Sequence, residues 1–270
     1  MVGGTPRVDD LLLVEELARS FGGIRALDGL NLHIGRGRIV GLIGPNGSGK
    51  TTAFNLISGI IAPDRGRIRF IGYDVTRSTA DRSAALGMAR TFQNLRLFHG
   101  LTVAENVAVG CHRRHGLSLL STLFNWRGMA RAEAMMRSRT MALLARFGLA
   151  DRADRPVTSL SYGDQRRVEI CRALASEPSL LLLDEPSAGM NPREKEVLTR
   201  EIDSLRRELD LGILLVEHDM KMVMGVCDRI QVIAQGRMLA AGTPQEVRAD
   251  PAVIEAYLGH PRERHRHAAA

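Results

Sequence analysis

Residues 44–51 read GPNGSGKT and match the pattern G-x-x-x-x-G-K-[ST] throughout. The apolar run RIVGLI precedes them, and KTTAFNLISGI follows with helical spacing. A chain in that order passes from a buried strand to a helix through a glycine turn, which directs it toward an α/β fold with parallel strands. The same turn is a phosphate site. Its glycines let successive backbone N–H groups face phosphate oxygens, and the helix N-terminus adds a favourable field. Lys50 reaches the terminal phosphates and Thr51 offers a hydroxyl to Mg²⁺.

The rest of the chain supports this frame. Residues 11–35 alternate short apolar runs with turn residues and predict antiparallel strands, and GRIRFIGYDV predicts another strand. From about 95 to 165 the strand pattern disappears, and residues 128–147 place Met129, Ala132, Met136, Leu143 and Leu144 at helical spacing. Beyond 163 the rhythm returns as alternating helices and strands: helix 163–176, strand SLLLLDE, helix 193–209, strand GILLVEH, a helix near 219–225 and strand DRIQVIA. GRMLAAG closes with a short strand, and PQEVRADPAVIEAYLG with one or two helices. The expected architecture is a mostly parallel sheet covered by helices, interrupted by a helical subdomain.

Two apolar strands end in polar residues that suit nucleotide chemistry. LLLLDEP ends in Asp184 and Glu185, which face opposite ways on an extended strand unless the backbone turns, and Pro186 marks such a turn. Asp184 is expected to associate with Mg²⁺, and Glu185 to orient or deprotonate the attacking water. LLVEHD places His218 at a strand end, where ligands gather in open parallel sheets, so a hydrogen bond to the γ-phosphate is expected of it. Gln93, in RTFQN, follows a short apolar strand and could hold Mg²⁺ or water while linking to the helical segment.

Composition narrows the alternatives. The chain of 270 residues carries a formal charge of +7, almost all from arginine, since Lys50, Lys195 and Lys221 are its only lysines. The arginines are scattered and aromatics make up 4%, which argues against a stacking nucleic-acid surface. Cys111, Cys171 and Cys227 are widely spaced outside any CxxC pattern, so reduced thiols are expected rather than disulfides or a zinc site. No apolar run approaches the roughly 20 residues that span a bilayer, and the opening MVGGTPRVDD has no secretory pattern. The expected location is cytoplasmic. His265 and His267, in the basic ending PRERHRHAAA, read as part of a disordered tail over 259–270 rather than as metal ligands.

One stretch has no place in a plain phosphate-loop protein. LSYGDQ, at 160–165, contains a glycine and opens a helix more than a hundred residues past the phosphate loop. With GPNGSGKT, Gln93, LSYGDQ, LLLLDEP, SAGMN and EHD in this order, the chain resembles the ATPase subunit of an ABC transporter over about residues 11–258. The resemblance implies an ABC ATPase fold with a P-loop NTPase core, an N-terminal antiparallel β-subdomain and an inserted α-helical subdomain at about 95–165. It also implies ATP and Mg²⁺ as cofactors. Nucleotide contact would come from Gly44, Pro45, Asn46, Gly47, Ser48, Gly49, Lys50, Thr51 and Thr52, with Phe21 where the family stacks an aromatic on adenine. Mg²⁺ would be held by Thr51, Gln93 and Asp184, and Glu185, His218 and Gln93 would form the hydrolytic set.

In such ATPases the signature closes over ATP held by a second subunit, so Ser161, Gly163 and Gln165 would serve a partner's nucleotide. The family's commoner form is L-S-G-G-Q. Here Tyr162 replaces a glycine and Asp164 is added, so both side chains must stay clear of the partner's phosphate if the site is to bind it well.

A finer resemblance, to the ATPases of branched-chain amino-acid uptake systems, rests on FGGIRALDGLNL, ARTFQNLRLFHGLTVAENVAVG and VIEAYLG, with a long insertion at about 112–132. It implies separate transmembrane permease subunits, a second ATPase subunit in a homo- or heterodimer, indirectly a substrate-binding protein, no nucleic acid, and a place on the inner face of the cell membrane. The insertion carries Leu117, Leu120, Phe124 and Trp126 after a basic start. It either meets a membrane partner or the bilayer surface, or packs on its own subdomain. Import of urea, amides or other amino acids is the alternative within transporters, and a soluble non-transport ABC ATPase the alternative outside them. No N-K-x-D guanine-reading motif follows a strand.

Overall fold

The computed structural model describes residues 10–115 and 126–258. The insertion residues Leu117, Leu120 and Phe124, the side chains of Trp126 and Met129, and the tail 259–270 with its two histidines lie outside what is described. Two sheets organise the described residues. Strands β1 (Asp10–Phe21), β2 (Ile24–Gly35), β4 (Arg65–Phe70) and β5 (Tyr73–Asp74) form an antiparallel sheet in the order β2-β1-β4-β5. The second sheet has the order β10-β9-β3-β8-β7-β6. It is made by β3 (Ile39–Ile43), β6 (Met88–Arg90), β7 (Leu180–Asp184), β8 (Gly212–Val216), β9 (Arg229–Ala234) and β10 (Arg237–Gly242). All its pairs are parallel except β10 with β9.

The continuous apolar runs arise from burial on both faces of this sheet. In β3, Ile39 and Ile43 enter one hydrophobic cluster while Val40 and Leu42 enter the other. In β7, Leu181 and Leu183 face the first cluster and Leu180 and Leu182 the second. One face packs toward the antiparallel sheet and helix α1 (Lys50–Ile57), through Phe54, Ile68 and Phe70. The other face is covered by helices α5 (Tyr162–Ala175), α6 (Pro192–Glu208) and α7 (Met220–Val226).

Between β6 and β7 lie helices α3 (Val103–His115) and α4 (Trp126–Arg146), where the strand pattern vanished from the sequence. Of the residues at helical spacing there, Leu143 and Leu144 are buried and Met136 packs against the same cluster. The short helix α2 (Ala80–Ala85), capped by Thr79, was not legible, because its six residues are too few for a period. The C-terminal stretch forms two helices, α8 (Pro244–Ala249) and α9 (Pro251–Leu258). All three cysteines are free and buried, and burial pushes the Cys227 thiol up to about 12.

Candidate functional site

The phosphate loop leaves β3 and enters α1. A Cβ on Gly44 would lie 2.0 Å from the Ile233 carbonyl oxygen, and one on Gly49 2.5 Å from that of Ala26, with φ at +154° and +107°. No other residue fits those two positions. Helix α1 has no side-chain cap, whereas α2, α5, α6, α7 and α8 are capped by Thr79, Ser161, Asn191, Asp219 and Thr243. Its first N–H groups are therefore left for an outside acceptor. The Ser48 hydroxyl is buried and has no protein partner. Lys50 Nζ donates to the carbonyl oxygens of Gly44 and Pro45 at 2.7 and 2.9 Å. Its desolvation lowers its pKa, against the pull of Glu185 and Asp184. Uncapped N–H groups, an orphaned hydroxyl and a half-buried ammonium together suit a polyphosphate.

At the end of β7 the two acids part. Asp184 is buried and pairs with Arg90 at 3.1 Å. Burial raises its carboxyl above the ordinary range, and Arg90 opposes the shift. Arg90 also donates to Asn55 Oδ1 at 2.8 Å and Ser58 Oγ at 3.0 Å, with its guanidinium over the rings of Phe54 and Phe92. Glu185 takes a left-handed conformation, φ +46°, while its N–H donates to the Val216 carbonyl at 2.9 Å. A non-glycine residue there costs on the order of 1–3 kcal/mol, and such strain concentrates at functional positions. The turn expected from Pro186 thus begins one residue earlier. It brings Glu185 beside Gln93, whose Nε2 donates to Glu185 Oε2 at 3.2 Å, and beside His218, whose Nδ1 lies 3.9 Å from the same oxygen. The second distance is too long for a hydrogen bond. Gln93, Glu185 and His218, far apart in sequence, form one cluster.

Three supporting groups escaped the sequence reading. Arg90 is one. Glu217, buried beside His218, accepts N–H groups from Ser187 at 2.8 Å, His218 at 3.0 Å and Asp219 at 3.2 Å, which fixes the loop after Glu185 to the strand bearing His218. The third is the fully buried pair Arg166 and Glu169 on α5, 2.7 Å apart. Arg166 donates to the carbonyls of Phe92 and Gln93, and Glu169 accepts the Phe92 N–H at 3.3 Å. Charged residues three apart on the apolar side of α5 were the available signal.

The signature residues stand apart from this cluster. The Ser161 hydroxyl caps α5 by accepting the Asp164 N–H at 3.2 Å, which leaves its own proton to donate. Gln165 Nε2 donates to the Leu160 carbonyl at 3.0 Å, and Gly163 abuts Glu194 of α6. None of these partners comes from residues 44–52. Asp164 is turned onto Arg152 at 2.6 Å and Arg167 at 3.3 Å, so its charge is neutralised within the chain. Tyr162 is exposed and its ring lies on Gly189 of the SAGMN segment. Phe21, at the end of β1, is 45% exposed and so is not a core side chain, and the Arg19 guanidinium sits 5.0 Å from its ring centre.

Comparison with known proteins identifies the family. The profile of the family described as "ABC transporter" matches residues 27–188, and that of "Branched-chain amino acid ATP-binding cassette transporter" matches residues 237–263. The chain is 44% identical over 249 residues to the high-affinity branched-chain amino acid transport ATP-binding protein LivG of Salmonella typhimurium, covering 92% of this chain and 98% of that one. It is 43% identical, with the same coverage, to BraF of Pseudomonas aeruginosa, which carries the same description. Among solved structures, an ATP-binding cassette of an ABC transporter in its ADP conformation superposes with a TM-score of 0.80 at 32% identity, covering 93% of this chain and 99% of that one.

Proposed function

The chain belongs to the ABC transporter family as an ATP-binding, ATP-hydrolysing subunit, and on that premise we propose that it powers uptake of branched-chain amino acids through separate membrane permeases. The observation that carries the substrate class is the match of residues 237–263 to the branched-chain amino-acid cassette profile. No helix among the described residues is long and apolar enough to cross a membrane, and in this reading the permeation path is supplied by other chains. The ATPase domain spans 11–258, with its helical subdomain at about 95–165, and works at the cytoplasmic face of the membrane.

In this reading residues Gly44 to Thr52 hold the phosphates of ATP and Phe21 stacks on the adenine. Thr51, Gln93 and Asp184 are the residues to hold Mg²⁺, which when bound neutralises phosphate charge. The donors suit that ion: Gln93 gives its amide hydrogen to Glu185 and keeps its amide oxygen, and Mg²⁺ commonly binds through one or two carboxylates with substrate phosphates. Glu185 orients the attacking water and takes its proton, assisted by the Gln93 contact, while His218 donates to the γ-phosphate. Two ATP molecules join two ATPase subunits, with Ser161, Gly163 and Gln165 completing the partner's site. Hydrolysis separates them, the motion passes to the permeases, and a substrate-binding protein delivers cargo on the far side.

The test is reconstitution of the full-length chain with its co-purified permeases in vesicles. ATP-dependent accumulation of labelled leucine, isoleucine or valine is the expected result. Accumulation of urea, amides or unrelated amino acids alone would move the assignment to a related importer.

A further inference from the structure

Tyr162 fills the position where the signature more often has glycine, and its ring has a definite seat. A Cβ built on Gly189 would lie 2.9 Å from Tyr162 Cδ1 and 3.0 Å from Cε1, so the edge of the ring rests against the Gly189 backbone. Gly189 has φ +73°, so both its conformation and its neighbour exclude a side chain there. One residue on, a Cβ on Gly163 would lie 3.2 Å from Glu194 Oε1. Glu194 belongs to the capping box that starts α6: its Oε2 accepts the Asn191 N–H at 2.9 Å and its own N–H donates to Asn191 Oδ1 at 3.0 Å. The first turn of α5 and the segment 189–194 are thereby one packed unit.

The other end of that segment is the hydrolytic site. The Ala188 N–H donates to the Glu185 carbonyl at 3.2 Å and the Met190 N–H to the Ser187 carbonyl at 3.2 Å, so residues 185–190 form a continuous hydrogen-bonded turn. The Ser187 N–H is anchored on Glu217, the carboxylate that also holds the His218 N–H. A displacement of the signature turn therefore reaches Glu185 and His218 through Tyr162, Gly189 and that turn. In the proposed dimer Ser161, one residue before Tyr162, faces the nucleotide of the other subunit, and a coupling role for Tyr162 rests on that dimer.

We propose that Tyr162 is a positioning residue that couples the two ATP sites: ATP held by the partner and engaged by Ser161 sets, through the Tyr162 ring on Gly189, the placement of Glu185 in this chain's own site. The contact needs the ring rather than the hydroxyl. With 43% of its surface exposed, Tyr162 contributes little to the core, so its removal leaves the fold standing.

The experiment uses mixed dimers of two differently tagged full-length chains, one carrying Glu185→Gln, so that only the other chain hydrolyses. Tyr162→Gly is placed on either chain. Coupling through Gly189 predicts that turnover falls about tenfold when Tyr162→Gly sits on the chain with intact Glu185, with the KM for ATP little changed, a split expected of lost positioning rather than lost binding. It also predicts that Tyr162→Phe restores turnover. Loss confined to the chain that lends Ser161, equal loss in both arrangements, or no loss in either overturns the proposal. The dimer is checked by separate arms. ATP must bring Glu185→Gln chains together, and Ser161→Ala must lower turnover when it sits on the chain that lends its signature to the intact site. Failure of either arm overturns the dimer and the coupling together, whereas failure of the Tyr162 arm alone leaves the dimer intact.

Discussion

The guanidinium of Arg166 donates to the carbonyl oxygen of Gln93 at 2.7 Å, across 73 residues of sequence. A buried cation in the signature helix thus fixes the backbone of the residue that contacts Glu185. Its partner Glu169 closes the clasp on Phe92. Neither side chain reaches solvent, so removing Arg166 leaves Glu169 buried with only the longer contact to Arg172, at 3.8 Å, opposite its charge. Arg166→Met is expected to destabilise the chain by about 3–5 kcal/mol. Urea unfolding of Arg166→Met, Glu169→Gln and the double variant measures this, and the double variant should lose less than the sum of the singles.

Arg90 does for Asp184 what Arg166 does for Glu169. Its fork reaches Asn55, Ser58 and Asp184 at once, a geometry that lysine cannot reproduce. Arg90→Lys is expected to cost about 2 kcal/mol, and Arg90→Met about 3–5 kcal/mol. Thermal unfolding with and without Asp184→Asn in the same chain tests the pairing, because the asparagine should recover part of the loss.

A pH dependence arises at Glu201 on α6. Burial pushes its carboxyl up to about 7, the nearby Arg167 only partly offsets this, and its Oε2 has no hydrogen-bond partner. The folded chain holds a proton that the unfolded chain releases near 4.5, so stability from this site is lost as pH rises from 4.5 to 7. The upper bound is about 3 kcal/mol at 1.36 kcal/mol per pKa unit. Glu201→Gln should therefore be the more stable chain above pH 7, by roughly 1–3 kcal/mol, and should converge with the wild type toward pH 4.5. Urea midpoints across that range would show the difference narrowing with acid; a difference independent of pH would contradict it.

The phosphate loop bears two glycines that cannot be exchanged. Gly49→Ala would drive a methyl to 2.5 Å from the Ala26 carbonyl and force a left-handed φ on alanine. The loop must shift to accept it. Nucleotide affinity, measured by equilibrium dialysis with labelled ATP, is expected to fall at least tenfold, while Gly47→Ala, whose Cβ meets nothing within 4 Å, should fall less.

Legibility in the sequence tracked the range of the interaction. The strands β3, β7 and β8 were readable because burial on both faces writes an unbroken apolar run, and the phosphate loop because its spacing is fixed by local backbone geometry. The parting of Asp184 and Glu185 was readable from Pro186. Arg90, Arg166 and Glu217 were not, since each is explained by partners brought close only by the fold, and a buried charge looks the same in sequence as a solvated one. The two altered letters of LSYGDQ show the same limit. Asp164 was a source of repulsion until Arg152 and Arg167 appeared beside it, and Tyr162 an intruder until Gly189 was found under its ring.

The proposed hydrolytic mechanism turns on Glu185, and Glu185→Gln is the variant that tests it. Glutamine keeps the shape and the contact with Gln93 but cannot take a proton. ATP turnover and ATP-dependent dimerisation should be measured on the same preparation. The expected result is retained ATP binding and dimerisation with turnover reduced about 10²–10⁴-fold, the contribution of a general base. Wild-type turnover in that variant would contradict the assignment of Glu185 as the hydrolytic base.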